Sequence, residues 1–412
     1  MRTKKEILFL CQYFYPEYVS SATLPFDTAR ALVKAGFVVG ALCGFPKEYS
    51  LKKETLLRDV QDGIEICRVK YLLTSRRTVV GRLVNYFSFA LAVLMRFPSL
   101  GGYKAVIVYS NPPILPFVAA LANRVFGIKV VFVSYDVYPE IAIKTKSISE
   151  NGFISVMMRF INREVFRRAT RVIAMSHEMK DYLLQHRAPR DAKQVVVIPN
   201  WYEDSDSLPP AIPHQNNMFA CLSPHENFVV SYLGNMGVCQ ELETILGAIR
   251  QLKHDTSIKF LFAGHGCKLE QLRSTVSAEQ LSNVFVYDFL HGQDFQDALS
   301  ISGVFLVSLQ EGLTGLAVPS KTYSYMKAGK PVIALLGAHT DIAKDLLKSQ
   351  AGYVLNVGEV GKLVAAIREM KDDGSLRREM GLNIANLFRS KYTTEICTSQ
   401  YIRVMTEVLG GN

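Results

Sequence analysis

Short apolar runs alternate along the chain with stretches whose apolar residues recur at helical spacing. This is the pattern of successive βαβ units with parallel strands. In the first half it predicts strands at 7–10, 38–43, 64–69, 105–109, 129–134, 171–175 and 195–198, with helices between them. Residues 23–35 read as a helix stopped by Gly36, since glycine tolerates the left-handed backbone of a helix end. Residues 201–227 hold prolines, acids and polar groups with no sustained period, and read as an interdomain linker. The alternation then restarts. Strands are expected at 228–233, 258–263, 284–289, 304–309 and 331–336, and helices at 240–252, 320–327, 360–371, 375–389 and 394–409. The chain is therefore expected to be an α/β protein of two Rossmann-like, doubly wound domains, 1–200 and 228–389, facing a cleft. Ligands of such sheets bind at the carboxyl ends of the strands.

Composition narrows the class. The 412 residues are 49% hydrophobic, enough for two cores. The 7 cysteines are scattered with no C-x-x-C pair, which fits buried thiols in a reducing compartment better than disulfides or a zinc site. The N-terminus is basic, but its apolar run at 7–11 is too short for a signal core of about 7–15 residues. The longest lipid-like stretch, around 87–95, falls far below the roughly 20 residues that span a bilayer. A soluble or peripheral protein is expected.

Charge adds a further distinction. Residues 1–200 carry 29 Lys and Arg against 15 Asp and Glu, and the rest carry 18 against 22. A basic half suits an anionic membrane or nucleic acid, but no nucleic-acid-binding motif accompanies it, and a solvated surface is the plain alternative. Arg76, Arg77, Arg82 and Arg96 bracket an apolar stretch with Tyr86, Phe87, Phe89 and Leu91. That stretch reads as an interfacial helix or as a helix packed in the core. Arg159, Arg163 and Arg167 share one helical face.

Three loops of the second half carry candidate chemistry. In 232–240 a strand runs into Gly234, Asn235 and Gly237, then toward a helix at Gln240. Backbone N–H groups there can approach an anion, although glycines of an ordinary tight turn look the same. Gly264, His265 and Gly266 repeat the arrangement after the next strand. Residues 311–321 run from Glu311 through Gly315 to Pro319, Ser320 and Lys321. Pro319 and Ser320 suit the first helical positions. Lys321 then lies in the first turn, where the helix dipole disfavours a cation unless an anion such as a diphosphate sits between them. The bland alternative is an exposed lysine. In the first half, Asp136 and Glu140 follow a strand and are placed to bind hydroxyls or move a proton, or else to cap and pair. Ser20 and Ser21 precede a helix, as ligand-side small residues or as a cap. Asp204 and Asp206 form a D-x-D pair in the expected linker, a poor position for a metal.

The loop series resembles the family 4 glycosyltransferases of the GT-B fold over essentially the whole chain, and most closely the O-antigen, capsule and colanic-acid branch, which includes aminodeoxyhexose transferases. The resemblance rests on 13–17, 135–140, 198–201, 234–237 with Gln240, and 318–321 followed by 328–331. It implies an acceptor-binding first domain with 390–412 packed back on it, and a donor-binding second domain. It also implies a nucleotide-sugar donor, UDP-linked, transferred with retention to a lipid-linked saccharide, at the cytoplasmic face of an anionic membrane. No metal or other cofactor is expected, and no nucleic acid. Donor contacts would fall on Ser20, Ser21, Gly234, Asn235, Gly237, Gln240, Gly264, His265, Gly266, Phe289, Leu290, Gly315, Pro319, Ser320 and Lys321, and catalytic roles on Asp136, Glu140, Glu311 and Lys321. The chain departs from the family in having Leu316 and Ser324 where two glutamates are usual, and Asn235 and Gln240 where Arg and Lys are usual. Rival readings are a UDP-sugar 2-epimerase and a non-catalytic partner of another transferase.

Overall fold

The computed structural model describes residues 5–46, 55–74, 79–187, 189–203 and 216–410. Arg76, Arg77, Asp204 and Asp206 lie outside them. The chain forms two compact units. Unit one is Met1–Trp201 with Gly315–Val318 and Thr394–Asn412, and unit two is Tyr202–Thr314 with Pro319–Thr393.

Unit one runs β1 (Lys5–Cys11), α1 (Ser20–Lys34), β2 (Val39–Gly44), β3 (Arg58–Gln61), β4 (Ile64–Val69), α2 (Val79–Leu94), α3 (Phe97–Leu100), β5 (Tyr103–Tyr109), α4 (Leu115–Phe126), β6 (Lys129–Ser134), α5 (Glu140–Lys144), α6 (Phe153–Arg168), β7 (Arg171–Ala174), α7 (His177–His186) and β8 (Val195–Val197). Its sheet has the order β3-β4-β2-β1-β5-β6-β7-β8, parallel except for the β3–β4 pair. Strands covered on both faces need continuous apolar runs; accordingly Ile7 to Cys11 and Ala105 to Tyr109 are buried throughout.

Unit two runs β9 (Phe228–Asn235), α8 (Glu243–Leu252), β10 (Ile258–His265), α9 (Leu269–Ala278), β11 (Val284–Tyr287), α10 (Gly292–Ile301), β12 (Val304–Ser308), α11 (Lys321–Lys327), β13 (Val332–Leu335), α12 (Asp341–Lys348), β14 (Gly352–Leu355), α13 (Val360–Asp372) and α14 (Gly374–Lys391). The sheet is wholly parallel, in the order β11-β10-β9-β12-β13-β14. Its core joins Phe260 and Phe262 of the strands to Ile249 and Ile367 of the helices. The last helix, α15 (Thr394–Gly410), belongs to unit one, where it packs on α1 and β5.

Every expected strand forms, and two appear that the apolar pattern missed. The β3 edge is polar, and it turns into β4 through Asp62 and Gly63, both at positive φ (51° and 78°). An Asp-Gly pair is a strong hairpin signal. The short β14 closes the other sheet. Helix α1 begins at Ser20 rather than 23, with Pro25 inside it. Helix α8 begins at Glu243 rather than 240, because the Gln240 side chain is spent on the preceding loop, accepting from the Gly237 N–H at 2.9 Å. Part of the expected linker is packed structure. Asn216 donates to Asp294 and Asp297, and Phe219 lies edge-on to Tyr287 at 5.4 Å. On α2, Phe89 turns into the core, whereas Phe87 and Leu91 face outward.

Arg68 ties the sheet edge to its loops. Its guanidinium is fully buried on β4, donates to the Leu56 and Tyr15 carbonyls at 2.8 and 2.9 Å, and lies 3.7 Å from Asp59. Replacing it with Met would take the partner from both carbonyls, at about 1–3 kcal/mol for one that stays buried. Urea unfolding of Arg68→Met is expected to show unit one destabilised by roughly 2–4 kcal/mol; a loss below about 0.5 kcal/mol would mean that water takes over the carbonyls.

Candidate functional site

The site of unit two lies where the strand order reverses. The β9–β10 pairing continues to Asn235 and His265, but the β9–β12 pairing covers Val230 and Ser231. Leu233 lies beyond it, with its backbone facing the opening gap. Tyr325 of α11 fills that gap. Its hydroxyl accepts from the Leu233 N–H at 2.7 Å and donates to the Leu233 carbonyl at 2.6 Å. Burial raises this phenol well above its ordinary pKa, so the donated proton stays in place. The ring stacks on Phe305 at 4.1 Å.

One helical turn earlier, Lys321 reaches the same loop. Its Nζ donates to the Asn235 carbonyl at 2.8 Å and sits 3.6 Å from the centre of the Tyr232 ring. The residue as a whole is half-buried. The ammonium, held between a carbonyl and a ring face, is the enclosed part, and burial lowers its pKa well below the lysine range. No carboxylate among the described residues forms an ion pair with it. Burial without a paired carboxylate disfavours its charged form, and an anion brought beside it favours that form again.

The two glycine loops interlock. An added Cβ on Gly264 would lie 1.9 Å from the Gly234 carbonyl oxygen, and one on Gly266 would lie 2.4 Å from Met236 backbone atoms. The Met236 N–H donates to the His265 carbonyl at 2.6 Å, and Lys268 donates to the Gln240 carbonyl at 2.6 Å. His265 is exposed, 5.2 Å from the Phe289 ring; partial desolvation of the imidazole, then the nearby Lys321 charge, lowers its pKa. Gly234, Asn235, Gly237, Gln240, Gly264, His265, Gly266 and Lys321 are thus brought together. Leu290 is buried beyond β11. Glu311 is exposed; its neighbour Gln310 donates to the Cys239 carbonyl at 2.8 Å. Pro319 and Ser320 precede α11 rather than open it; Ser320 holds the cap position without a side-chain cap bond, and the Thr322 hydroxyl donates to the Pro319 carbonyl at 2.8 Å.

Gly315, expected among the donor contacts, groups with unit one. A Cβ there would lie 2.9 Å from the Glu178 carbonyl oxygen, at φ 78°. The buried Leu316 next to it accepts from the Val137 N–H at 2.9 Å. The other candidates of unit one lie on separate elements of that unit. Asp136 lines a small pocket with Ser110, Tyr138, Asn162 and Arg187, and burial pushes its pKa up to about 6. Glu140 opens α5 and is ion-paired to Arg187. Ser20 and Ser21 lie inside the first turn of α1, whose cap is Val19, so neither is the capping residue. Tyr325, Tyr232, Lys268 and Arg187 were not foreseen. Tyr325 alone left a signal, four residues after Lys321 and hence on the same helical face.

Residues 26–201 match the glycosyl transferase 4-like domain, and residues 227–373 match the glycosyl transferases group 1. The chain belongs to the family 4 glycosyltransferases. Its two parallel-sheet units are those of the GT-B fold. The probable glycosyltransferase WbjE of Pseudomonas aeruginosa is 25% identical over 60% of this chain and 61% of its own length. The putative colanic acid biosynthesis glycosyl transferase WcaI of Escherichia coli K12 is 22% identical over 53% of this chain and 54% of its own length. The match therefore spans less than two thirds of either relative. Among solved structures, Anabaena Alr3699/HepE in complex with UDP superposes with a TM-score of 0.72 over 98% of this chain and all of that one, at 16% identity. Within the family 4 pattern, the places usual for two glutamates are filled by the buried Leu316 and by Ser324, whose hydroxyl donates to the Lys321 carbonyl at 2.8 Å.

Two outcomes follow from this geometry. Tyr325→Phe keeps the ring but strands the N–H and carbonyl of Leu233, so a loss of about 2–4 kcal/mol is expected in urea unfolding; an unchanged midpoint would show that another group closes the gap. Asp136 binds its proton more tightly in the folded chain (about 6) than at its ordinary value of 3.8. Its contribution to stability is therefore full below about pH 4 and lost as pH rises through about 6. Asp136→Asn should gain stability relative to wild type between pH 4 and 7, and parallel pH profiles would contradict the assigned burial.

Proposed function

We propose that this chain transfers a hexosyl or N-acetylhexosaminyl group from a UDP-sugar, with retention, to a lipid-linked saccharide in surface polysaccharide synthesis. The reaction would take place at the cytoplasmic face of the membrane. The observation that carries the reading is the enclosed Lys321 ammonium, fixed at Asn235 beside two interlocked glycine loops and without a carboxylate partner among the described residues. Such a place suits a diphosphate. The UDP held by the neighbouring Anabaena structure supports the donor class.

In this reading the bond from the anomeric carbon to the diphosphate oxygen breaks, a bond from the same carbon to an acceptor hydroxyl oxygen forms, and the hydroxyl's proton passes to the departing diphosphate. Negative charge grows on the departing diphosphate, and the preorganised Lys321 charge stabilises it more than it stabilises the ground state. Tyr325 acts through the backbone, holding Leu233 and thereby the loop that carries Gly234 and Asn235. His265, kept neutral by its surroundings, is free to hydrogen-bond a phosphate oxygen. Asp136 is assigned to the acceptor hydroxyl, and Glu140 to shaping the loop through Arg187. A fixed ammonium does the work that a divalent cation does elsewhere, so no metal enters the reading.

Lys321→Ala is expected to lower kcat/KM by about 10²-fold or more, with unchanged unfolding, as loss of one preorganised charge stabiliser does. Wild-type turnover of a UDP-sugar panel with lipid-linked acceptors, followed by mass spectrometry, should persist in excess chelator. Near-normal activity of the variant would remove Lys321 from the diphosphate. Loss in chelator with rescue by manganese or magnesium would sink the metal-free reading.

A further inference from the structure

Helix α7 ends in two aromatic rings that stack on each other. Tyr182 and His186 lie four residues apart on one helical face, with ring centres 4.1 Å apart and planes inclined by 15°. The imidazole is pinned. Its Nδ1 lies 2.9 Å from the Tyr182 carbonyl, and a carbonyl only accepts, so Nδ1 carries a proton and donates it. In the neutral ring Nε2 is then left as an acceptor. Tyr182 is half-buried and His186 is exposed. Gly315 backs the stack: a Cβ there would lie 3.3 Å from the Tyr182 Cβ.

The stack adjoins the Asp136 pocket. Leu183 and Arg187, next in sequence to the two rings, line that pocket with Asp136 and Asn162. Rings and pocket wall are therefore neighbouring faces of α7, about 100° apart around its axis. Arg187 pairs with Glu140 and donates to the Tyr138 carbonyl at 3.0 Å, and Asn162 donates to the same carbonyl at 2.5 Å. Those two side chains are committed to the protein. Three groups around them are not. Among the described residues no hydrogen bond or ion pair involves the Asp136 carboxyl, the Tyr182 hydroxyl or His186 Nε2. A rigid aromatic surface edged by a free hydroxyl, imidazole nitrogen and carboxyl is chemistry for a carbohydrate. The C–H face of a pyranose is apolar and packs flat on a ring, while its hydroxyls need donors and acceptors at the edge. A carboxyl among the free groups disfavours an anionic ligand. We propose that Tyr182 and His186 form a second saccharide subsite, which seats the sugar ring next to the one whose hydroxyl meets Asp136. The acceptor is then an oligosaccharide of two or more rings, and the stack selects it over a single sugar. Because the imidazole is held before any ligand arrives, little ordering opposes binding. This assignment deepens the proposed function and rests on it for a saccharide hydroxyl at Asp136.

The test compares octyl glycosides of glucose and N-acetylglucosamine carrying one sugar ring with their β-linked two-ring counterparts, as acceptors for the full chain with the UDP-sugar panel. A two-ring preference in kcat/KM of about tenfold or more is expected, as one further packed ring provides. His186→Ala and Tyr182→Leu should each cut that preference to about threefold or less, through the KM of the two-ring acceptor. Gln185→Ala, exposed on the same helix, should keep it. His186 is exposed, so thermal unfolding of His186→Ala should match wild type, which keeps the result readable if Tyr182→Leu loosens α7. The His186 ring resonances, assigned by their absence in His186→Ala, give a second readout that does not depend on transfer. They should shift when the free two-ring saccharides are added without donor, and far less with glucose. Such shifts without turnover on any acceptor would uphold the subsite and sink the transferase reading. Turnover indifferent to ring number and to both substitutions would overturn the subsite and leave the transferase reading standing. A response of the same resonances to UMP and to no saccharide would overturn it in favour of a nucleotide seat.

Discussion

The second unit depends on how the parting of two parallel strands is closed. A doubly wound sheet must open where its strand order reverses, and the opening exposes backbone groups that the ladder no longer pairs. Here β9 and β12 separate after Ser231, and a single phenol from α11 takes both backbone groups of Leu233. Because Tyr325 and Lys321 share one helical face, the same short helix that closes the gap also delivers an ammonium to Asn235, two residues further along β9. The sheet defect and the charged site are therefore one construction. The lysine is positioned by a helix that the fold requires for another reason.

The glycines make the construction possible. With Gly264 opposite Gly234 in register, and Gly266 against Met236, two strand ends come closer than any side chain allows. The loops lock by a backbone hydrogen bond from Met236 to His265, next to the Asn235 carbonyl that holds the Lys321 ammonium. Unit one answers with different chemistry. Its pocket holds a carboxyl whose burial raises its pKa to about 6 and an arginine committed to Glu140. Its helices α2 and α4 carry arginine and no acid.

Much of this was legible in the residue pattern. The apolar runs marked the strands because both faces of a parallel sheet are covered. The glycine loops and Lys321 stood out because a strand that runs through glycines into a helix start lets backbone N–H groups approach an anion. The Asp62-Gly63 turn was equally readable, but the polar β3 it leads from carried no apolar signal. Other features were not legible. Gln240 looked like a helix start until its side chain proved to be closing the loop before it. Nothing in the pattern foretold that Gly315 packs against Glu178. Arg187 and Lys268 belong to no motif, and only the folded chain brings them to Glu140 and Gln240.

The sequence by itself determined the class of this protein: alternating units, two sheets, the loops that bear the chemistry, and a basic first half beside an acidic second. Those properties are periodic or additive, and they survive without knowing which residues touch. Tertiary structure alone decided what each polar side chain is for. Whether a lysine is solvated or enclosed, whether Asp136 is a surface acid or a buried one, and whether the phenylalanines of α2 turn inward like Phe89 or outward like Phe87 depend on neighbours far away in the chain. Burial and hydrogen-bond partnership are properties of the packed molecule, and they set the charge state on which any chemistry here depends.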